Sequence, residues 1–305
     1  MIQEINNLFE LPSLLEPIDL GSFGVTNKHV FVKRDDLIHP VVSGNKLRKL
    51  KYNIKEYFDG NYYGIVTFGG SHSNHIIAMS YLAKFYTIPT IIFIRGEKPK
   101  ILNPTLKKCY ELGVELKFVS RETYKRVSTN IESIKNKYLD YFIIPEGGAN
   151  SFGINGCKDV VKEIDLDFDE IFCDVGTGAT MAGIASELNS CQKVKGVVVL
   201  KGADYLKNEI NNFLLNDEHR NTCELLHNYH FGGYAKKNTK LITFMRDFYE
   251  ITGIKTDPIY SGKMFYGMID QLKNENDEKT IIALHSGGLQ GIEGFEQRYN
   301  LNIYE

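Results

Sequence analysis

The chain has 305 residues, 43% hydrophobic and 24% charged, a balance that excludes disordered and collagen-like proteins. Its 36 basic and 38 acidic residues give a net charge of −2, so we expect neither a nucleic-acid nor a membrane partner. The five cysteines form no CxxC pair, and the first residues lack the basic region of a signal peptide. We therefore expect reduced thiols and a cytoplasmic location.

Short β-rich runs alternate with helical patterns along the whole chain. The predicted strands are 30–33, 64–68, 90–94, 114–119, 142–144, 170–173, 194–200 and 280–284. The predicted helices are 47–58, 74–85, 105–112, 122–138, 155–164, 179–188, 205–215, 240–252, 263–274 and 290–299. This alternation predicts an α/β fold with mainly parallel sheets and flanking helices. We interpret the polar stretch 208–228 as a helix end followed by a surface loop.

A lysine stands where a helix is predicted to begin. Lys46 follows the strand end Lys33-Arg34-Asp35-Asp36 and a short loop. An amine at this place feels the positive end of the helix dipole, and burial would favour the neutral form that reacts with an aldehyde cofactor. Arg48, Lys49 and Lys51 follow closely, so the motif taken alone favours a solvated basic face.

A second motif, Gly69-Gly70-Ser71-His72-Ser73-Asn74-His75, joins a predicted strand to a predicted helix. Free backbone N–H groups at a helix start suit a carboxylate or phosphate, although Ser73 and Asn74 are also ordinary N-cap residues. His72 and His75 are close enough in sequence to suggest a metal pair. No third ligand is near them in sequence, so we predict no metal site.

Three later motifs also stand at predicted strand ends or helix starts. Gly176-Thr177-Gly178-Ala179-Thr180 suits a phosphate through its backbone N–H groups and hydroxyls, but it lacks the lysine of a nucleotide P-loop. Asp257-Pro258-Ile259-Tyr260-Ser261-Gly262-Lys263 and His285-Ser286-Gly287-Gly288 place polar groups where open α/β sheets bind ligands. Each motif is also compatible with an ordinary turn.

In this order, the motifs resemble pyridoxal-phosphate (PLP) enzymes of fold type II, the tryptophan synthase β-like group. The family that the chain resembles is that of D-cysteine desulfhydrase and 1-aminocyclopropane-1-carboxylate (ACC) deaminase. The most specific part of the resemblance is Ser43-Gly44-Asn45-Lys46-Leu47-Arg48-Lys49-Leu50, and Glu146-Gly147-Gly148-Ala149-Asn150 adds to it. The resemblance implies a larger PLP-binding domain (1–49 and 156–305), a smaller domain (50–155) and a homodimer.

The resemblance implies cofactor contacts for several residues. Lys46 matches the Schiff-base lysine, Asn74 matches the residue that hydrogen-bonds the phenolic O3′, and Ser286 matches the position opposite the pyridine nitrogen. The residues that match the phosphate loop are Gly176, Thr177, Gly178, Ala179 and Thr180.

The resemblance also implies contacts with an amino-acid substrate. Ser73 and His75 match positions that face the substrate carboxylate and α-carbon. Tyr260 matches a substrate-side tyrosine beside the ring, and Tyr234 resembles a further one. Lys46, released from the cofactor, would then act as the base at the α-carbon, with Ser73 and Tyr260 as further catalytic candidates.

Two positions indicate which bond is broken. ACC deaminases carry Glu where this chain has Ser261 and Leu where it has Ser286. A neutral hydroxyl at the ring nitrogen draws less charge into the ring, which favours prompt loss of a β-leaving group. The resemblance therefore implies a PLP-dependent lyase that converts D-cysteine or a related amino acid to pyruvate, ammonia and sulfide. The alternatives are an ACC deaminase giving 2-oxobutanoate and ammonia, a PLP-dependent amino-acid racemase and a non-enzymatic PLP- or metabolite-binding protein.

Overall fold

The computed structural model describes the backbone of residues 1–305 and all side chains except those of residues 129, 131 and 133. The helices are α1 (Ile2–Leu8), α2 (Asn45–Asp59), α3 (Asn74–Phe85), α4 (Pro104–Glu111), α5 (Arg121–Thr129), α6 (Ile131–Lys135), α7 (Ser151–Lys162), α8 (Ala179–Ala185), α9 (Leu206–Phe213), α10 (Asp217–Asn221), α11 (Thr239–Thr252), α12 (Ser261–Leu272) and α13 (Gly291–Tyr299). The strands are β1 (Leu15–Ile18), β2 (Lys28–Lys33), β3 (Gly64–Gly70), β4 (Thr90–Arg95), β5 (Glu115–Val119), β6 (Tyr141–Ile144), β7 (Glu170–Val175), β8 (Lys193–Val198), β9 (Cys223–Leu226) and β10 (Lys279–Leu284).

The strands form two sheets. A six-stranded sheet has the order β1-β2-β10-β7-β8-β9, and a four-stranded sheet has the order β5-β4-β3-β6. Within them only β1 pairs antiparallel, with β2, among the strand pairs that the structure describes. The predicted α/β fold with mainly parallel sheets is therefore confirmed.

The central strands are covered on both faces, as their apolar runs predict. Every residue of β7 is buried, and so are six of the seven residues of β3. On β10, Ile281 and Ala283 join one buried apolar cluster, whereas Ile282 and Leu284 join a second one. Alternate side chains of a strand point to opposite faces, so the two clusters lie on the two sides of the six-stranded sheet.

The helix boundaries follow local capping chemistry. Ser73 is the N-cap of α3, where its Oγ accepts a hydrogen bond from the backbone N–H of His75, and the helix covers the predicted residues. The single helix predicted over 122–138 is wrong: Asn130 (φ −109°, ψ 75°) leaves the helical region and separates α5 from α6. Asn competes with the helical backbone for hydrogen bonds, which explains the break.

The interpretation of residues 208–228 as a helix end and a surface loop is right for the helix end, since α9 ends at Phe213, and wrong for the loop. The stretch contains α10 and the edge strand β9. The first strand, β1, is likewise missing from the prediction, and it contains Pro17. Both strands are four residues long and lie at the sheet's edges, where one paired side is enough and the hydrophobic pattern is weak.

The predicted solvated basic face on α2 is wrong as well. Arg48, Lys49 and Lys51 are all almost fully buried. Arg48 forms ion pairs with Asp35, at 2.5 Å, and with Glu163, at 2.8 Å, and Lys51 pairs with Asp159. These ion pairs fix α2 between the chain's N-terminal part and α7, and α2 carries Lys46.

The four-stranded sheet is built from one continuous part of the chain, from β3 to β6, and the six-stranded sheet is built from the residues before and after it. The domain boundaries predicted at 49/50 and 155/156 fall within α2 and α7 and stay a prediction. Among the helices that the structure describes, none is both long and apolar enough to cross a bilayer.

Candidate active site

A pocket lies where the carboxyl ends of strands from both sheets meet, the place at which open α/β sheets bind ligands. It opens into an outer cavity of about 650 Å³, and Ser73, Glu146 and Tyr260 line both. The predicted site residues that line the inner pocket are Lys46, Ser73, Asn74, His75, Gly176, Thr177, Gly178, Thr180 and Tyr260. Residues that are far apart in sequence thus converge on one site.

Lys46 is the second residue of α2 and faces this pocket. Burial, and to a smaller extent the positive charge of Lys49, lower its pKa to about 7, although Asp174 and Asp257 act in the opposite direction. Its Nζ donates a hydrogen bond to Asn45 Oδ1 at 2.6 Å. A large fraction of this amine is neutral near pH 7, which is the form that attacks an aldehyde.

The start of α2 is seated directly on the loop that contains Ser286. The backbone N–H of Asn45 donates to the Ser286 carbonyl at 3.2 Å. Gly44 has φ +65°, and a Cβ at this position would lie 1.7 Å from that carbonyl oxygen. Only glycine permits both this conformation and this approach, so the Ser-Gly-Asn-Lys sequence is explained by backbone geometry.

The loop between β7 and α8 has the form of a phosphate cradle. The backbone N–H groups of residues 176–178 donate to no backbone carbonyl among the described residues. Thr177 Oγ1 is buried there without a hydrogen-bond partner, while Thr180 Oγ1 accepts from Asn45. Ala179 is fully buried, and it is the one residue of the predicted loop that does not line the pocket. Unpaired donors and the start of α8 together suit a phosphate.

His75 is fully buried, and its tautomer follows from its neighbours. Thr67 Oγ1 donates to the Ile144 carbonyl at 2.9 Å, so it must accept from His75 Nε2 at 2.8 Å. The other ring nitrogen, Nδ1, is then an acceptor, and it is buried without a partner among the described residues. Burial lowers the pKa of His75 to about 3, so the ring stays neutral and offers a lone pair.

Tyr260 is held at the pocket wall by a buried carboxylate. Asp257 Oδ1 accepts hydrogen bonds from the backbone N–H groups of Ile259 and Tyr260, and its Oδ2 accepts from Ser261. Burial raises the pKa of Tyr260 well above its ordinary value, so it remains a phenol that can donate a proton. Tyr234 packs edge-on against it at 6.1 Å between ring centroids, but Tyr234 lines the outer cavity instead of the inner pocket.

Ser286 does not itself line the inner pocket, but it hydrogen-bonds to a side chain that does. It is 7% exposed, and its hydroxyl donates a hydrogen bond to Asp174 Oδ1. Asp174 is also buried, and it lines the pocket that Lys46 faces. The interpretation of Ser286 as an isolated neutral hydroxyl misses this carboxylate.

Several pocket residues were not predicted as site residues: Asn45, Lys49, Glu146, Gly147, Asp174 and Met181. For two of these residues, the sequence contains a signal that points to the pocket. Lys49 lies one turn after Lys46 on the same helix face. Asp174 stands at the carboxyl end of a buried strand, directly before the phosphate loop. Among the described side chains, no group of three or more His, Cys, Asp or Glu is placed to hold a metal ion.

The residues present fit bound PLP. A lysine amine of lowered pKa suits its aldehyde, and the unpaired donors between β7 and α8 suit its phosphate. The aromatic ring of Tyr260 stands beside them, with Lys46 Nζ 6.0 Å from its centroid. The residues present thus suit both the aldehyde and the phosphate of the cofactor.

Comparisons with known proteins agree with this reading. A family described as "Pyridoxal-phosphate dependent enzyme" matches residues 15–287. A Thermotoga maritima protein provisionally named a 1-aminocyclopropane-1-carboxylate deaminase is 34% identical, over 87% of this chain and 90% of its own length. The bifunctional D-cysteine desulfhydrase/1-aminocyclopropane-1-carboxylate deaminase of Arabidopsis thaliana is 28% identical, over 94% and 79%.

Solved structures share the fold. The crystal structure of an ACC deaminase homologue has a TM-score of 0.81 at 24% identity, and the match covers 99% of both chains. Serine racemase from Dictyostelium discoideum has a TM-score of 0.69 at 17% identity, with 94% of this chain and 96% of that chain covered. At these identities the likeness establishes the architecture alone.

Proposed function

Because the chain belongs to the family of pyridoxal-phosphate-dependent enzymes and has their fold type II architecture, we propose that it is a lyase acting on D-cysteine or a related β-substituted amino acid. The reaction is β-elimination with deamination, which turns D-cysteine and water into pyruvate, ammonia and sulfide. Bound PLP supplies an aldehyde for the substrate amine and a ring that stabilises negative charge at the α-carbon.

Lys46 is proposed to carry the cofactor and then to move the α-proton. Its pKa of about 7 lets the amine take up and release a proton at neutral pH. A general base works best when its pKa lies near the working pH. The burial of the pocket and the charge of Lys49 therefore bring the pKa of Lys46 into the range that suits a general base.

The start of α3 is proposed to bind the substrate carboxylate. Ser73 Oγ accepts the N-cap hydrogen bond from the His75 N–H, so its own hydrogen is free to be donated into the pocket. The positive end of the twelve-residue helix favours an anion at this position. The unpaired His75 Nδ1 accepts a hydrogen bond from bound cofactor or substrate, and Asn74 is proposed to bind the phenolic O3′.

The observation that carries the proposal is the presence of two proton-handling groups in one pocket. Lys46 Nζ lies 6.0 Å from the centroid of the Tyr260 ring, and Tyr260 is kept protonated by burial. Lys46 removes the proton from the α-carbon while Tyr260 gives one to the leaving sulfur. Tyr234, packed against Tyr260, is proposed to contact the substrate's side chain.

We expect the PLP-loaded protein to release pyruvate and sulfide in equal amounts from D-cysteine, with D-cysteine, L-cysteine, D-serine and ACC assayed side by side. Tyr260→Phe should lower turnover by about 10²- to 10⁴-fold, the usual contribution of a general acid, while PLP remains bound. Lys46→Ala should lose both turnover and the absorbance of lysine-bound cofactor. Elimination that persists in Lys46→Ala would contradict the proposed mechanism.

ACC deaminase is the second candidate, because the Thermotoga relative carries that name at 34% identity. Formation of 2-oxobutanoate from ACC, well above the rate of D-cysteine turnover, would favour it. Deuterium uptake at the α-carbon without keto acid would favour a racemase, and PLP binding without turnover would favour a binding protein. The homodimer and the domain boundaries at 50 and 155 are proposed on the resemblance alone. The cytoplasmic location is proposed on the cysteines, which form no CxxC pair.

A further inference from the structure

A buried carboxylate stands behind the hydroxyl that ends β10. Asp174 lies near the end of β7 and is 5% exposed. β7 and β10 are parallel neighbours, with Phe172 opposite Ala283, so Asp174 and Ser286 reach the same edge of the sheet. There the Ser286 hydroxyl donates to Asp174 Oδ1. Among the described residues, no other side chain forms a hydrogen bond with this carboxylate.

This hydrogen bond fixes what Ser286 can offer to a ligand. A serine hydroxyl has one hydrogen and two lone pairs. Because the hydrogen is given to Asp174, only lone pairs remain, so Ser286 can accept a hydrogen bond but cannot donate one. An isolated serine would donate its hydrogen to an unprotonated pyridine nitrogen. A serine bound to a carboxylate instead requires a partner that carries a proton.

We propose that Asp174 acts through Ser286 to keep a proton on the ring nitrogen of bound PLP. This proposal rests on the proposed function in one respect, which is that the ring nitrogen of bound PLP lies at Ser286. Asp174 is thus a positioning residue, which orients the Ser286 hydroxyl and supplies the negative charge that balances the pyridinium. A protonated ring withdraws more charge from the α-carbon than a neutral one.

The electrostatics of the pocket support a carboxylate with this task. Asp174 raises the pKa of Lys46 and of Lys49, against the burial that lowers both, so its charge is felt across the pocket. With PLP bound at Lys46, the free ammonium of Lys46 would no longer face Asp174. A proton on the ring nitrogen would then place an opposite charge next to the carboxylate.

The inference changes the chemistry expected from Ser286 alone. A neutral hydroxyl favours prompt loss of the β-substituent. A pyridinium held by Asp174 would withdraw more charge from the α-carbon, so that the α-proton would have time to exchange with solvent before the β-substituent leaves. We therefore expect deuterium to appear at the α-carbon of unreacted substrate during turnover in D₂O, and less of it in Asp174→Asn.

The direct test is the ¹⁵N resonance of holoenzyme loaded with PLP labelled at the pyridine nitrogen, recorded without substrate. At neutral pH the wild type should show the resonance of a protonated ring, and Asp174→Asn should move it to the deprotonated position. Asp169→Asn is the matched control, since it removes an exposed carboxylate just before the same strand, outside the pocket. A deprotonated ring in the wild type, or no change in Asp174→Asn, would overturn the inference.

A second measurement covers the case in which Asp174→Asn does not fold. Ser286→Ala holoenzyme should also show the ¹⁵N resonance at the deprotonated position, because the ring proton loses its hydrogen-bond acceptor. A resonance that stays at the protonated position in Ser286→Ala would refute the inference. Neither measurement uses D-cysteine, so an inactive enzyme would count against the proposed lyase and not against Asp174.

Discussion

Lys46 and Lys49 lie one turn apart on α2, and both face the pocket. Burial lowers the pKa of each, and the charge of Lys49 lowers that of Lys46 further. Two close cations in a desolvated pocket disfavour each other's charge. Lys49 therefore helps to keep Lys46 neutral, an effect that the sequence motif does not reveal.

Lys49→Met removes this charge at similar volume, and we expect the pKa of Lys46 to rise from about 7 toward the ordinary lysine value of 10.5. The measurement is the rate at which the apoprotein combines with PLP as a function of pH, whose midpoint should move upward. Lys55→Met is the control, because Lys55 is a more exposed lysine of the same helix, paired with Asp59. An unchanged midpoint in Lys49→Met would show that the charge of Lys49 does not set the pKa of Lys46.

The motifs identified most of the pocket residue by residue, because each motif joins a strand end to a helix start. They did not reveal Asp174 as the partner of Ser286. That pair depends on β7 lying next to β10, a contact between parts of the chain more than a hundred residues apart. Likewise, the pairing of Arg48 with Asp35 and Glu163 made a buried cluster out of what reads locally as a solvated surface.

At the scale of elements, the junction of α2 with the loop after β10 depends on Gly44. We expect Gly44→Ala to lower the free energy of unfolding by about 2 to 5 kcal/mol, since left-handed strain and overpacking add together. PLP binding should weaken too, because Lys46 lies at the same junction.

Gly24→Ala is the matched control for this change. Gly24 has φ +78°, close to the +65° of Gly44, but a Cβ there would meet nothing within 4 Å. The free energy of unfolding of Gly24→Ala should fall only by the cost of the left-handed conformation, about 1 to 2 kcal/mol. Urea denaturation of both variants measures the difference, and equal losses would mean that the close approach to Ser286 is relieved by a small shift.

Interior elements were more predictable than edge elements, for a physical reason. A central strand such as β7 is buried along its whole length and shows as an apolar run. The edge strands β1 and β9 have one neighbour each and mix polar with apolar residues. Breaks inside a helical pattern, such as the one at Asn130, depend on a single residue's conformation and are invisible to periodicity.

At the scale of the whole molecule, buried ion pairs join the chain's N-terminal part to α2 and α7. Glu163 accepts from Arg48 and Lys33, and these cations hold its pKa at about 2, below the ordinary 4.5, although burial acts the other way. The unfolded chain therefore binds more protons than the folded one between these values. Stability is fully present above about 4.5 and is lost as pH falls through about 2.

We expect the free energy of unfolding to fall steadily over this pH range in the wild type, and less steeply in Glu163→Gln. The variant should also be less stable at neutral pH by about 3 to 5 kcal/mol, because Arg48 and Lys33 lose a buried partner. Glu122→Gln, a change at an exposed carboxylate, should keep the wild-type slope. Urea denaturation at a series of pH values measures the free energy of unfolding. Identical slopes against pH in the wild type and in Glu163→Gln would mean that other groups cause the acid sensitivity.

The order of the six-stranded sheet has a consequence for the growing chain. β10 lies between β2 and β7 and pairs with both. These two strands therefore cannot belong to one sheet until the segment from Lys279 to Leu284 has left the ribosome. The four-stranded sheet, from β3 to β6, is complete much earlier in synthesis. A nascent chain can therefore fold one sheet while the other is still open between β2 and β7. It acquires a place for the cofactor only once β10 has been made.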